Sequence, residues 1–145
     1  MGKNENFPVH IIKFYCNEKV LKLALTGAVL KGDGLEVRIS GIPVHGIEVD
    51  SHTGCAHYRS ALDIVAIKFA CCQSYYCCFY CHEAQAGHST RLWGHPQFDQ
   101  KAVLCGACGA ELAIRQYLEC RAICPMCQSA FNPRCESHYH LYFET

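Results

Sequence analysis

The sequence predicts a small α+β domain stabilised by zinc. Short β-hairpins and zinc knuckles alternate with one or two short helices, and a zinc-ribbon-like module closes the C-terminal half. Three observations predict this. Residues 55–88 carry nine sulfur or imidazole donors between strand-like runs: Cys55, His57, Cys71, Cys72, Cys77, Cys78, Cys81, His82 and His88. Two further C-x-x-C pairs follow, Cys105/Cys108 and Cys124/Cys127, fifteen residues apart. Half of the 145 residues are apolar and 18 % are charged, a composition that folds rather than stays disordered. Zn²⁺ takes thiolates and imidazoles in tetrahedral sets of four, and no nucleophile–base motif needs so many donors.

Cysteine usage and charge narrow the function classes. The thirteen cysteines are odd in number and interleaved with histidines, and no secretory leader is expected. A disulfide scaffold fits that pattern poorly, so a reducing, cytoplasmic setting is expected. The formal net charge is zero. Nucleic acid and membrane surfaces are therefore not the expected partners. The longest charge-free N-terminal stretch, Leu23 to Leu30, is too short to span a bilayer.

Residues 1–40 lack the metal pattern and read as an N-terminal extension. Phe7 to Tyr15 is a strand or a short helix, and Cys16 and His10 read as packing residues. Asn17 to Lys31 fits a helix capped by Asn17. It equally fits the first arm of a hairpin turning at Gly32-Asp33-Gly34 into a strand near 35–40, where Leu35, Val37 and Ile39 alternate with Glu36 and Arg38. Gly41 to Thr53 reads as a strand pair, with His45 and His52 exposed.

The metal region follows. Cys55 and His57 can grip one ion from an extended segment, because alternate side chains share a face, and Tyr58 then packs. Leu62 to Phe69 is a buried strand that delivers Cys71-Cys72. Adjacent side chains diverge in a strand, so either a turn brings both to one ion or they serve two. Cys78-x-x-Cys81 has knuckle spacing, with His82 directly after it and His88 across a short helical stretch, Glu83 to Ala86. Trp93 and Phe98 read as core plugs, and His95 lies in a loop outside the ligand set. Gly106 and Gly109 are expected to supply the positive φ angles of a second knuckle. The spacer Ala110 to Ile123 is one amphipathic helix or a strand pair. Two redox C-x-x-C sites would need a helix-opening βαβ setting that is missing here. The tail is a closing strand packed through Tyr139, Tyr142 and Phe143, or it holds a fourth ion with Cys120, Cys135, His138 and His140.

Together these motifs resemble the CHY-type zinc finger from about residue 41 to the end. The CP-x-C…FNP-x-C…HYHLYFE tail is similar to that of its short stand-alone bacterial and fungal members. The resemblance implies a domain over 41–145, with a two-zinc part at 55–88 and a ribbon-like part at 103–145. It also implies three zinc ions. The division expected is Cys55, His57, Cys78 and Cys81 for one, Cys71, Cys72, His82 and His88 for another, and Cys105, Cys108, Cys124 and Cys127 for the third. Cys77, pointing away from the knuckle, is left out. Nine thiolates against three Zn²⁺ make the loaded protein about three units more negative, which strengthens the case against nucleic acid.

Sites closed by four protein ligands leave no position for a reactive water. The expected function is thus a structural and interaction module with a protein partner and no catalysis of its own. The resemblance also implies an alternative, zinc or thiol handling for a client protein, which in fungal members belongs to the mitochondrial intermembrane space. A third is an adaptor in ubiquitin transfer. A related domain opens the RING-and-CHY ubiquitin ligases, but no cross-braced RING follows here, so a separate RING partner would be needed.

Overall fold

The computed structural model describes residues 29–31 and 34–145. Phe7 to Tyr15, His10, Cys16 and the start of the Asn17 helix lie outside them. Between Val29 and Ile39 the hairpin reading prevails: β1 (Val29–Lys31) pairs antiparallel with β2 (Gly34–Ile39), Val29 opposite Glu36. β2 continues into β3 (Ile42–His45), turning through Ser40 and Gly41, both at positive φ. The strand pair expected over 41–53 is half realised. Beyond β3 the chain turns instead of extending, because the Asp50 carboxylate accepts from the amides of His52 and Gly54 at 2.8 and 2.9 Å.

The remaining strands are β4 (Val65–Lys68), β5 (Tyr75–Tyr76), β6 (Lys101–Cys105) and β7 (Glu111–Ala113). All seven form one mixed sheet in the order β1-β2-β3-β5-β4-β6-β7. Among the pairings of these described strands only β3–β5 is parallel, Val44 opposite Tyr75. Strand β6, between β4 and β7, reads as an unbroken apolar run, and Ala102, Val103, Leu104 and Cys105 are wholly buried. β4 is shorter than the strand expected over 62–69: Ile64, Ala66, Ile67 and Phe69 are buried as expected, whereas Val65 is half-buried and Leu62 is exposed.

Among the described residues two short α-helices complete the α+β fold. Helix α1 (Phe79–Gln85) begins four residues before the predicted Glu83. Its start is set by the knuckle itself, since Cys78 caps it and its sulfur accepts from the Cys81 amide at 3.4 Å. The spacer over 110–123 is neither a single helix nor a strand pair. β7 passes at Ala113 directly into α2 (Ile114–Glu119).

The tail also departs from expectation. It is a 3₁₀ helix over Pro133–Leu141, capped by the Asn132 side chain, not a closing strand. Pro133 removes a strand donor and pre-sets the helical φ. The aromatic anchoring nevertheless holds. Phe143 is buried beside Tyr117 and Phe98, and Trp93 donates from Nε1 to the Lys68 carbonyl at 2.7 Å. The Tyr142 hydroxyl accepts from the Phe79 amide at 2.9 Å, tying the tail to the start of α1. Among the described residues, no helix is long and apolar enough to cross a membrane.

Candidate metal centre

The same turn is used three times. In the segment from Cys105, the amide of Cys105 donates to the Ala110 carbonyl at 2.9 Å and Gly109 donates back to the Cys105 carbonyl at 2.8 Å. From Cys124 the pattern repeats, with Cys124 to Ser129 at 2.9 Å and Gln128 to Cys124 at 2.9 Å. It recurs from Phe69, with Phe69 to Ser74 at 3.0 Å and Gln73 to Phe69 at 2.8 Å. The fifth residue of each turn is left-handed: Gly109 at φ 75°, Gln128 at 66° and Gln73 at 55°.

In the first two turns cysteines occupy positions one and four. In the third, Phe69 takes position one, while Cys71 and Cys72 sit at three and four. This turn resolves the adjacent-cysteine problem, because the two sulfurs come within 4.0 Å on one side. Gly109 has the positive φ expected of it, but Gly106 does not. Gly106 is required instead by a close approach, since a Cβ there would collide with the His52 carbonyl oxygen.

Twelve donors converge into three groups, each with its four ligand atoms within 4.8 Å of one another. The first is Cys55, His57, Cys78 and Cys81; the second Cys71, Cys72, His82 and His88; the third Cys105, Cys108, Cys124 and Cys127. Every residue of the expected set is placed, in the expected division. In the third group Cys105 faces Cys127 and Cys108 faces Cys124, each at 3.9 Å. The two C-x-x-C pairs thus come together in one cluster of four sulfurs.

The spacings suit zinc. Sulfurs bound tetrahedrally at about 2.3 Å lie about 3.8 Å apart. Cys55 and Cys78 are separated by 3.7 Å, and the His57 Nδ1 lies 3.4 Å from Cys78 and 3.5 Å from Cys81. A disulfide would need about 2.05 Å, and the twelve described cysteines are all free.

Local electrostatics point the same way. Contacts with Cys78 and Cys81 hold the Cys55 thiol far below its ordinary range, while the contact with Cys55 pushes Cys78 far above it. Sulfurs this close cannot all ionise beside one another unless a cation offsets their charge. Burial and the neighbouring His88 lower the His82 pKa, keeping a neutral imidazole of the kind a metal takes. Burial raises Cys105 to about 12, and hydrogen bonding by Ser129 lowers Cys127 to about 6.

Outer contacts orient several donors. Ile47 donates its amide to Cys81 at 3.4 Å, and His88 donates from Nδ1 to the Ala86 carbonyl at 2.9 Å. His82 lies flat on Phe69, centroids 4.1 Å apart. Its Nε2 faces Cys71 at 3.3 Å while Nδ1 meets the Thr90 hydroxyl at 3.2 Å. Neither Thr90 nor Phe69 was legible as part of a site. A lone threonine carries no spacing signal, and Phe69 reads as an ordinary core residue.

The thiols outside the clusters behave differently. Cys77 is buried with its sulfur 4.0 Å from the Gly54 carbonyl, turned out of the knuckle as expected, and burial pushes it far up. The fourth ion is not supported. Among the described residues Cys120, Cys135, His138 and His140 form no cluster: the last three lie along the 3₁₀ helix, while Cys120 ends α2. His138 packs on Tyr58, while Cys135 bonds Tyr117. His45 and His52 are exposed.

Comparison with known proteins agrees with this geometry. The CHY zinc finger model matches residues 55–140. Helper of Tim protein 13 of Saccharomyces cerevisiae is 36 % identical over 104 residues, 70 % of this chain and 90 % of the relative. The protein of the same name from Kluyveromyces lactis is 36 % identical over 100 residues, 69 % and 87 % of the two chains. An uncharacterised protein of Schizosaccharomyces pombe is 37 % identical over 105 residues, 72 % and 92 %. No solved structure matches. The clusters and the family together indicate a zinc-binding protein with places for about three ions. The chain belongs to the CHY zinc finger family.

Proposed function

We propose that the twelve clustered donors hold three structural zinc ions, four ligands to each, and that the chain is a protein-interaction module without catalysis of its own. The carrying observation is that each cluster supplies a complete set of four donors, which leaves zinc no open position for a reactive water. The relatives' name, helper of Tim protein 13, supports a role exerted on another protein. Free thiols fit a reducing compartment such as the cytoplasm, and the relatives' name is compatible with the mitochondrial intermembrane space.

One observation favours a second reading, zinc or thiol handling for a client. Cys108 of the third cluster is an exposed sulfur, whereas Cys55, Cys81 and Cys105 are buried and the exposed donors of the other two clusters are the imidazoles of His57 and His88. An incoming client thiolate could bind the ion on that side and take the place of the Cys108 sulfur, which leaves as the free thiolate. Native mass spectrometry during a chelator titration separates the two. Three ions held together support the structural module, and one ion lost early from the third cluster supports handling. A folded, reduced protein without metal refutes both.

A further inference from the structure

We propose that Thr90, backed by Glu83, is a positioning residue for the second cluster, fixing which nitrogen of His82 faces the metal. The inference rests on the reading that this cluster holds zinc.

Packing fixes the His82 ring but not its proton. The side chain is wholly buried and stacked on Phe69 at 16° between planes. Tyr76 and His88 meet it edge to face, each at 4.9 Å. Held this way, the ring turns Nε2 to Cys71 at 3.3 Å and Cys72 at 3.8 Å, and Nδ1 to Thr90. Which nitrogen carries the hydrogen is then decided by what Thr90 offers.

The Thr90 hydroxyl donates to the Glu83 carboxylate at 3.0 Å. Its own hydrogen is committed there, so its oxygen faces Nδ1 as an acceptor at 3.2 Å. Nδ1 must therefore be the donor, and the lone pair is left on Nε2, toward the two sulfurs. An outer partner that sets the tautomer also raises the basicity of a metal-binding imidazole. Without the hydroxyl, the ring has two poor choices. It keeps a buried N–H whose nearest acceptor is the Glu83 carboxylate, beyond hydrogen-bond reach at 3.9 Å, or it moves the hydrogen to Nε2 and blocks the lone pair. His88 is oriented differently, by the Ala86 backbone carbonyl, which no substitution removes.

The test uses the full zinc-loaded chain with Thr90→Val, Thr90→Ser and Glu83→Gln. Zinc per chain is followed by native mass spectrometry against rising chelator, and the His82 ring nitrogens by long-range ¹H–¹⁵N NMR. Thr90→Val should release one ion of the three at about 10- to 100-fold less chelator, and the Nδ1–H signature should be lost or shifted. Thr90→Ser should behave as wild type. Glu83→Gln, at an exposed position, keeps an acceptor without the charge and should shift release by less in the same direction. It decides the matter should Thr90→Val fail to fold. Release of all three ions as in wild type, or of all three early together, overturns the proposal. A wild-type chain with no metal at the second cluster overturns the underlying reading instead.

Discussion

Replacing Cys81 by alanine should cost the protein two zinc ions, not one. The Cys81 sulfur is buried 3.5 Å from His57 Nδ1 and accepts the Ile47 amide at 3.4 Å, joining α1 to the chain after β3. His82, the next residue, belongs to the second cluster. Helix α1 has seven residues, and isolated helices shorter than about 12–15 residues are marginal in water. Its order therefore comes from its attachments. A structural zinc site is worth about 10–16 kcal/mol in apparent binding, against about 5–15 kcal/mol for the stability of a whole domain. Loss of the first site is thus enough to free α1 and carry His82 away from Cys71 and Cys72. The third cluster uses no residue of α1 and closes through its own two turns, so its ion should remain. Zinc per chain by native mass spectrometry, with near-UV circular dichroism for packing, reads the outcome. A Cys81→Ala protein that keeps two ions, or one that loses all three, would refute this reasoning.

Gly106→Ala tests the close approach at the third cluster. The new Cβ meets the His52 carbonyl oxygen and, at 2.9 Å, the Thr53 hydroxyl. Backbone cannot rotate aside, so a loss of about 1–3 kcal/mol is expected, seen as a lower melting temperature and easier chelation of that ion. An unchanged melt would show that residues 52 and 106 do not need this contact.

Tyr75→Phe addresses the alkaline limit. Burial and the hydrogen bond to Glu111 at 2.7 Å push the Tyr75 hydroxyl up. The folded chain keeps a proton that the unfolded chain releases above pH about 10. Its contribution is complete below that pH and falls as pH rises, so the variant should lose stability less steeply than wild type between pH 9 and 11. Equal slopes in denaturant titrations would count against it.

Short-range features were the legible ones. The 62–69 strand, the hairpin into residues 35–39 and the C-x-x-C knuckles each depend on neighbours within a few positions, where alternation and spacing carry the signal. The start of α1 was misplaced because its cap is a ligand sulfur, which propensity does not weigh. The tail is not the closing strand that its aromatic residues suggest, because Pro133 and the Asn132 cap favour a 3₁₀ helix. Thr90 and the turn at Phe69–Ser74 are local, but no residue spacing marks them: a lone threonine and a turn that opens on phenylalanine carry no ligand signal.

The chain by itself determined which atoms are the candidate metal donors. Thiolates and imidazoles at this density have few other uses, and ligands one to three residues apart close a ring at little entropic cost. Which donors share an ion is a tertiary matter, and in the sequence the division came only through family resemblance. Cys55 and Cys78 stand 23 positions apart and meet at 3.7 Å. They do so because β4 and β5 turn back through the Phe69–Ser74 knuckle, laying β5 parallel to β3 and starting α1 beside the loop at residue 55. No local pattern encodes that return, since the burial that favours it is shared among residues far apart along the chain.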